Sequence, residues 1–164
     1  MKKIIVLILC AICGLSPVGC GNRIKEYKGT SLINLSFRKV HYNGGFTREY
    51  ILDFENNTVK SRAYLPSGGN NNPDFEIIAE FSEEEEVGFI NRLYTYGLFG
   101  IKAEYKAPIG VMDGSGWSMV INYSDGTQKK STGSNNSPDS VFEKCAKAFY
   151  DICEDGIVAH VPKE

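Results

Sequence analysis

The sequence predicts one α+β domain: an antiparallel sheet of about six or seven strands, with two α-helices packed on one face. Three observations predict it. Apolar and polar residues alternate along several short stretches, the period of a half-buried strand. Gly- and Asn-rich turn signals separate those stretches. Two longer segments carry helix-start signals followed by apolar residues at helical spacing.

The first alternating run is 31–40, with Ile33, Leu35 and Phe37 on one side and Asn34, Ser36 and Arg38 on the other. Asn43-Gly44-Gly45 supplies residues that accept positive φ, so a hairpin is expected there. Arg48 to Phe54 returns with Tyr50, Leu52 and Phe54 inward. Glu55-Asn56-Asn57 turns the chain into a third strand over Thr58 to Tyr64. Leu65 to Asp74 reads as a solvated loop. A fourth strand follows over Phe75 to Phe81, with Phe75, Ile77 and Phe81 sharing one parity.

Ser82-Glu83-Glu84-Glu85 has the spacing of a capping box. Its glutamates suit the positive end of a helix dipole. They do not converge on a metal ion, because consecutive helical side chains diverge by about 100°. The helix is expected to bury Val87, Ile90, Leu93 and Tyr94 and to stop near Gly97. Phe99, Ile101 and Ala103 alternate and suggest a short strand, before Pro108 and Gly110 mark irregular chain. Tyr94, Tyr96, Phe99 and Tyr105 make this region rich in aromatics, which by default pack into a core.

The most regular strand places Trp117, Met119, Ile121 and Tyr123 on one face. Asp125-Gly126 signals a tight type I′ hairpin. The return strand, 127–132, is too polar to be buried on both faces. Ser137 is expected to cap a second helix, with Pro138 at its first position and Val141, Cys145, Ala148, Phe149 and Ile152 along its apolar face. Ile157 to Glu164 is a tail with no clear pattern, either a short edge strand or loose chain.

At this point a resemblance appears. The pattern D-G-x-x-W, then I-x-Y-x-D-G-T, then G-x-N-x-x-P is carried by Asp113, Gly114, Trp117, Ile121, Tyr123, Asp125, Gly126, Thr127, Gly133, Asn135 and Pro138. It resembles a domain recurring in small exported bacterial proteins, many of them lipoproteins. The resemblance implies an α+β fold and no particular activity.

The N-terminus carries the strongest functional signal. Lys2-Lys3 is a basic start, Ile4 to Ile12 an apolar run, and Gly14 to Gly19 a segment of small and turn-forming residues. That is the layout of a bacterial secretory signal over residues 1–19. The apolar stretch is shorter than a comfortable bilayer span. At Cys20 the segment resembles the lipobox of bacterial lipoproteins: Gly19 and Val18 match, while Pro17 stands where Leu is usual. The resemblance implies that Cys20 becomes an acylated mature N-terminus, anchored in a membrane of the cell envelope on the periplasmic or the outer side. An ordinary signal peptide cut near Gly19 or Gly21 is the alternative. Residues 20–30 then read as a polar tether, and 31–164 as the globular domain.

The 164 residues carry 18 Lys and Arg against 20 Asp and Glu. Removing residues 1–19 takes away Lys2 and Lys3 and leaves 16 basic residues against 20 acidic, a charge of -4. A weakly acidic domain without a basic stripe is a poor nucleic-acid binder. Cys10 and Cys13 form a C-x-x-C inside the signal, where a redox or zinc reading does not apply. Cys145 and Cys153 lie about 12 Å apart along one helix, too far for a disulfide.

His41 and His160 lack ligand spacing. Ser115 lacks the flanking pattern of a nucleophile elbow, and neither a P-loop nor a dinucleotide fingerprint is present. No cofactor or metal is implied. One anion-binding reading remains: Lys129, Lys130 and Asn135 lie near the start of the second helix. The sequence therefore points to a non-catalytic envelope module that binds a protein or a glycan. The alternatives are a small hydrolase using paired carboxylates, or an inhibitor of the immunity type.

Overall fold

A computed structural model describes residues 24–41, 47–65, 73–107, 109–110, 114–154 and 157–158. The expected signal, Cys20, the Asn43-Gly44-Gly45 turn, most of the 65–74 loop, Asp113, His160 and the end of the tail lie outside the described residues.

Seven strands form one sheet: β1 (Leu32–His41), β2 (Thr47–Asp53), β3 (Thr58–Tyr64), β4 (Glu76–Glu80), β5 (Glu104–Tyr105), β6 (Ser115–Tyr123) and β7 (Gln128–Ser134). Their spatial order is β4-β3-β2-β1-β6-β7-β5. Every neighbouring pair is antiparallel except the two-residue β5, which runs parallel to β7. Two helices, α1 (Glu83–Tyr96) and α2 (Asp139–Cys153), pack together. An ion pair joins them, Arg92 Nη1 to Asp151 Oδ2 at 2.6 Å.

The first four strands form a meander, and α1 then carries the chain from the β4 edge to the β5 edge. Ser82 starts α1 as its spacing predicts. Its hydroxyl accepts the Glu85 N–H, and the Glu85 carboxylate accepts the Ser82 N–H at 2.8 Å. Gly97 ends the helix with φ 87°. The buried stripe is Phe89, Ile90 and Leu93, whereas Val87 and Tyr94 are exposed. Residues 87, 90 and 94 share one flank of the helix, but the sheet takes the neighbouring flank, centred between 89 and 93. Leu98–Gly100 is a turn of 3₁₀ helix, and the expected strand through Phe99 is replaced by β5 further on.

Both helices cover the same face of the sheet. Phe142 of α2 stands edge-on to Phe37 and Trp117, and Phe89 of α1 packs on Phe54 and Phe149. Leu35, Leu52, Val59, Met119 and Ile121 complete the floor of this core. Cys145 and Cys153 are buried within it and form no disulfide with each other, as their spacing predicts. Phe142 and Cys153 join the expected apolar face of α2, and Val141 and Ile152 border it. Beyond α2, Ile157 and Val158 form a turn whose side chains are 1% exposed, so this part of the tail seals the core.

Two bulges shift the expected alternation. In β1 the register slips between Leu32 and Asn34, so Leu32 is buried in place of Ile33. In β4 Val59 faces Ala79 while Lys60 faces Ile77, leaving Ile78 as the extra residue. One inserted residue reverses which side chains face inward, and Ile77 is exposed.

The turn after β6 also differs from the type I′ geometry. Gly126 alone has positive φ, at 82°, and its N–H donates to the Tyr123 carbonyl at 3.0 Å. The turn is centred on Ser124-Asp125, with Gly126 as the left-handed residue that follows it. Ser137 does not cap α2. Its hydroxyl donates to Asp139 Oδ1, and the Pro138 carbonyl accepts the first helical N–H groups, from Val141 and Phe142.

Candidate functional site

The helices leave the other face of the sheet without a covering element among the described residues. The strand registers arrange this open face in rows. One row runs Lys60, Ile51, Ser36, Val120, Lys130, from β3 across to β7. The next runs Arg62, Glu49, Arg38, Ser118, Thr132. The half-buried aliphatic chains of Ile51 and Val120 therefore flank Ser36, with a lysine at either end of their row.

Glu49 is the electrostatic hub of this face. It accepts from Arg62 Nε at 2.6 Å and from the Tyr64 hydroxyl at 3.0 Å, and it pairs with Arg38 Nε at 3.3 Å. Burial, together with the Glu49 carboxylate, pushes the Tyr64 phenol up, so it stays a donor. The Arg62 guanidinium lies 4.3 Å from the Phe75 ring centroid, a cation–π contact that fixes its plane. Four residues after Glu49, Asp53 accepts Lys60 Nζ at 2.9 Å and both the side chain and backbone N–H of Asn56. A third polar line runs through Asn34, Asn122 and Gln128, whose side-chain amides bond in series at 2.7 and 2.6 Å.

Beside this lattice lies a groove of about 450 Å³. Its floor is Arg38, Ser118 and Thr132, and Glu104 and Lys106 wall it where β5 borders β7. Hydroxyls, cations and one carboxylate therefore face a shared space. The wall is pinned from behind: Asn136 Nδ2 donates to the Lys106 carbonyl at 2.9 Å, and Trp117 Nε1 donates to the Asn136 carbonyl at 2.8 Å.

Of the residues that carry the sequence pattern, Trp117 and Gly133 line this groove, and Asn135 lies next to it in the chain after Ser134. Asn135, at φ 48°, accepts the Ser115 N–H with its side chain at 2.8 Å and donates its own N–H to the Ser115 carbonyl at 2.8 Å. It is thereby committed to closing the β6–β7 ladder. Lys129 Nζ donates to the Ile101 carbonyl at 3.0 Å. Lys130 follows it on the strand and so projects to the opposite, open face. The structure does not bring Lys129, Lys130 and Asn135 together, and the expected anion site has no shared geometry. Lys130 instead joins the open-face row.

The described part of the expected tether also has a fixed place. Lys25 N–H donates to Thr95 Oγ1 at 2.7 Å and Tyr27 N–H to Asn91 Oδ1 at 2.6 Å. The Tyr27 ring packs on Tyr94 and Phe99, with centroids 5.5 and 5.0 Å away. Of the aromatic-rich region, Tyr105 packs separately, against Trp117.

Comparison with protein-family models and with curated proteins finds no match to this chain. No helix among the described residues is long and apolar enough to cross a membrane. Arg38, Ser118 and Thr132 were not marked as site residues by the sequence, because only the strand register makes neighbours of them. Alternation did place Arg38 and Ser118 on the polar side of their strands.

Proposed function

We propose that this protein is a lipid-anchored, non-catalytic binding module of a bacterial cell envelope, and that its open sheet face holds a protein partner. The observation that carries the reading is the composition of that face. Two aliphatic side chains, Ile51 and Val120, stand among Lys60, Lys130, Arg38 and the groove hydroxyls. An apolar centre with a polar, charged rim is the anatomy of a protein interface. Glu49 and Asp53 are already bridged by their own cations, and Lys106 pairs with Glu104 at 3.7 Å, so Lys130 is the charge that a partner with an acidic rim meets first.

The anchor rests on the sequence: Lys2-Lys3, the apolar run to Ile12, and Gly19-Cys20. Two or three acyl chains at Cys20 would hold the chain firmly, since each buried methylene contributes about 0.8 kcal/mol.

An affinity pull-down from detergent-solubilised envelope, read by mass spectrometry, tests the binding reading. The wild-type chain is expected to retain one partner in stoichiometric amount. A variant carrying Ile51→Glu and Val120→Glu is expected to fold and lose it. Retention by that variant would move the interface elsewhere. Absence of any stoichiometric partner of the wild type would remove the reading.

A further inference from the structure

The corner where the N-terminal segment meets α1 is built unlike the rest of the surface. Ile24 and Tyr94 are exposed hydrophobics, at 51% and 41%. Tyr27 and Phe99 are half-buried beside them, and the Tyr94 and Phe99 rings stack at 6.4 Å. Tyrosines with an apolar body and a polar tip favour the level of lipid headgroups. Lys25, Lys28 and Lys102 are exposed around the cluster, against Glu26, which pairs with Lys28, and Asp125, which accepts from Thr127.

The chain fixes how far this corner can stand from an acylated Cys20. Lys25 is held to α1 by its backbone N–H. Five residue steps separate it from Cys20, which reach at most about 18 Å when fully extended. The other end of α1 carries Glu83, Glu84, Glu85 and Glu86. The helical rise places those carboxylates about 12–17 Å along the axis from Tyr94. An anionic bilayer repels that end and attracts the lysines at this one.

We propose that the corner formed by Ile24, Tyr27, Tyr94 and Phe99 rests on the bilayer surface, so that the protein stands on its membrane with the glutamate end of α1 pointing away. The inference depends on acylation of Cys20 in the proposed function above. It adds an orientation: the domain is seated at its anchor and does not hang from a loose leash.

The test uses the full chain, processed in a bacterial host and reconstituted into phosphatidylethanolamine–phosphatidylglycerol vesicles with brominated acyl chains. Tyr94→Trp and Ile24→Trp report from the corner, and Glu83→Trp from the far end of α1, all over the shared signal of Trp117. Emission from the two corner tryptophans is expected to be quenched, while the Glu83→Trp emission is unchanged. Quenching of Glu83→Trp as strong as that of the corner variants, or none at the corner, overturns the orientation. Intact mass separates the two claims. An unacylated Cys20 sinks the anchor and the orientation together, whereas an acylated protein with an unquenched corner sinks the orientation alone.

Discussion

Trp117 and Gly133 oppose each other across the β6–β7 ladder, and the position opposite the indole has no room for a side chain. A Cβ on Gly133 would lie 2.2 Å from Trp117 Nε1 and 2.3 Å from the Asn136 carbonyl oxygen. The second contact is with backbone and cannot be relieved by a rotamer change. Gly133→Ala is therefore expected to destabilise the fold by about 1–3 kcal/mol, the range for overpacking a filled site. Urea denaturation measures it, and an unchanged midpoint would mean that the 133–136 backbone yields.

The opposite result is expected two residues earlier. Ser131 is fully buried opposite Met119, and its hydroxyl has no hydrogen-bond partner among the described residues. An unpaired buried hydroxyl costs about 1–3 kcal/mol, partly offset by the contacts it makes. Ser131→Ala should leave the thermal midpoint unchanged or raise it. A clear fall would reveal a partner for the hydroxyl.

Acid should weaken the open face through Asp53. Burial pushes this carboxyl up, but the bonds from Lys60 and from the Asn56 side chain and backbone outweigh it and hold the group below its usual value. A carboxyl depressed by folding adds stability above its unfolded pKa, about 4, and that stability is lost as pH falls through the lower folded value. Asp53→Asn should therefore be less stable than wild type at neutral pH, and the gap should close in acid. Thermal midpoints of both proteins across the acid range check this. A gap independent of pH would assign the loss to packing.

The core thiols should be silent until the protein opens. Burial pushes the Cys145 thiol up to about 12, against a weaker opposing effect of Lys144. The thiolate is the reactive form. In a chain starting at Gly21, a disulfide reagent at mildly alkaline pH should label Cys145 and Cys153 only after denaturant is added. Rapid labelling of the native protein would mean that α2 leaves the sheet readily.

The sequence made the strands and helices legible wherever a local rule governed them. The capping box at Ser82, the inward Tyr50, Leu52 and Phe54, and the core positions Met119 and Ile121 follow from spacing alone. The misses share one cause, an effect set by a distant part of the chain. Ile33 and Ile77 lost their expected faces to bulges that exist only relative to β6 and β3. Phe89 took the place of Val87 because the sheet met α1 on a different flank. Tyr27 looked like tether because its partners, Tyr94 and Phe99, come much later in the chain. The groove was hidden for the same reason: Arg38, Ser118 and Thr132 meet only through register.

The pairing of β1 with β6 also has a history. β1 to β4 are joined in sequence, each to the next, whereas the other neighbour of β1 arrives only after α1 and β5. Non-local pairing carries a larger loop-closure cost than the hairpins, so the meander is expected to form first. In that interval β1 is a bare edge, with Leu35 and Phe37 not yet roofed by Phe142 and its neighbours. Bare apolar edges are where chains join one another. The finished protein holds this strand in the middle of the sheet, and only a chain that has not finished folding shows it.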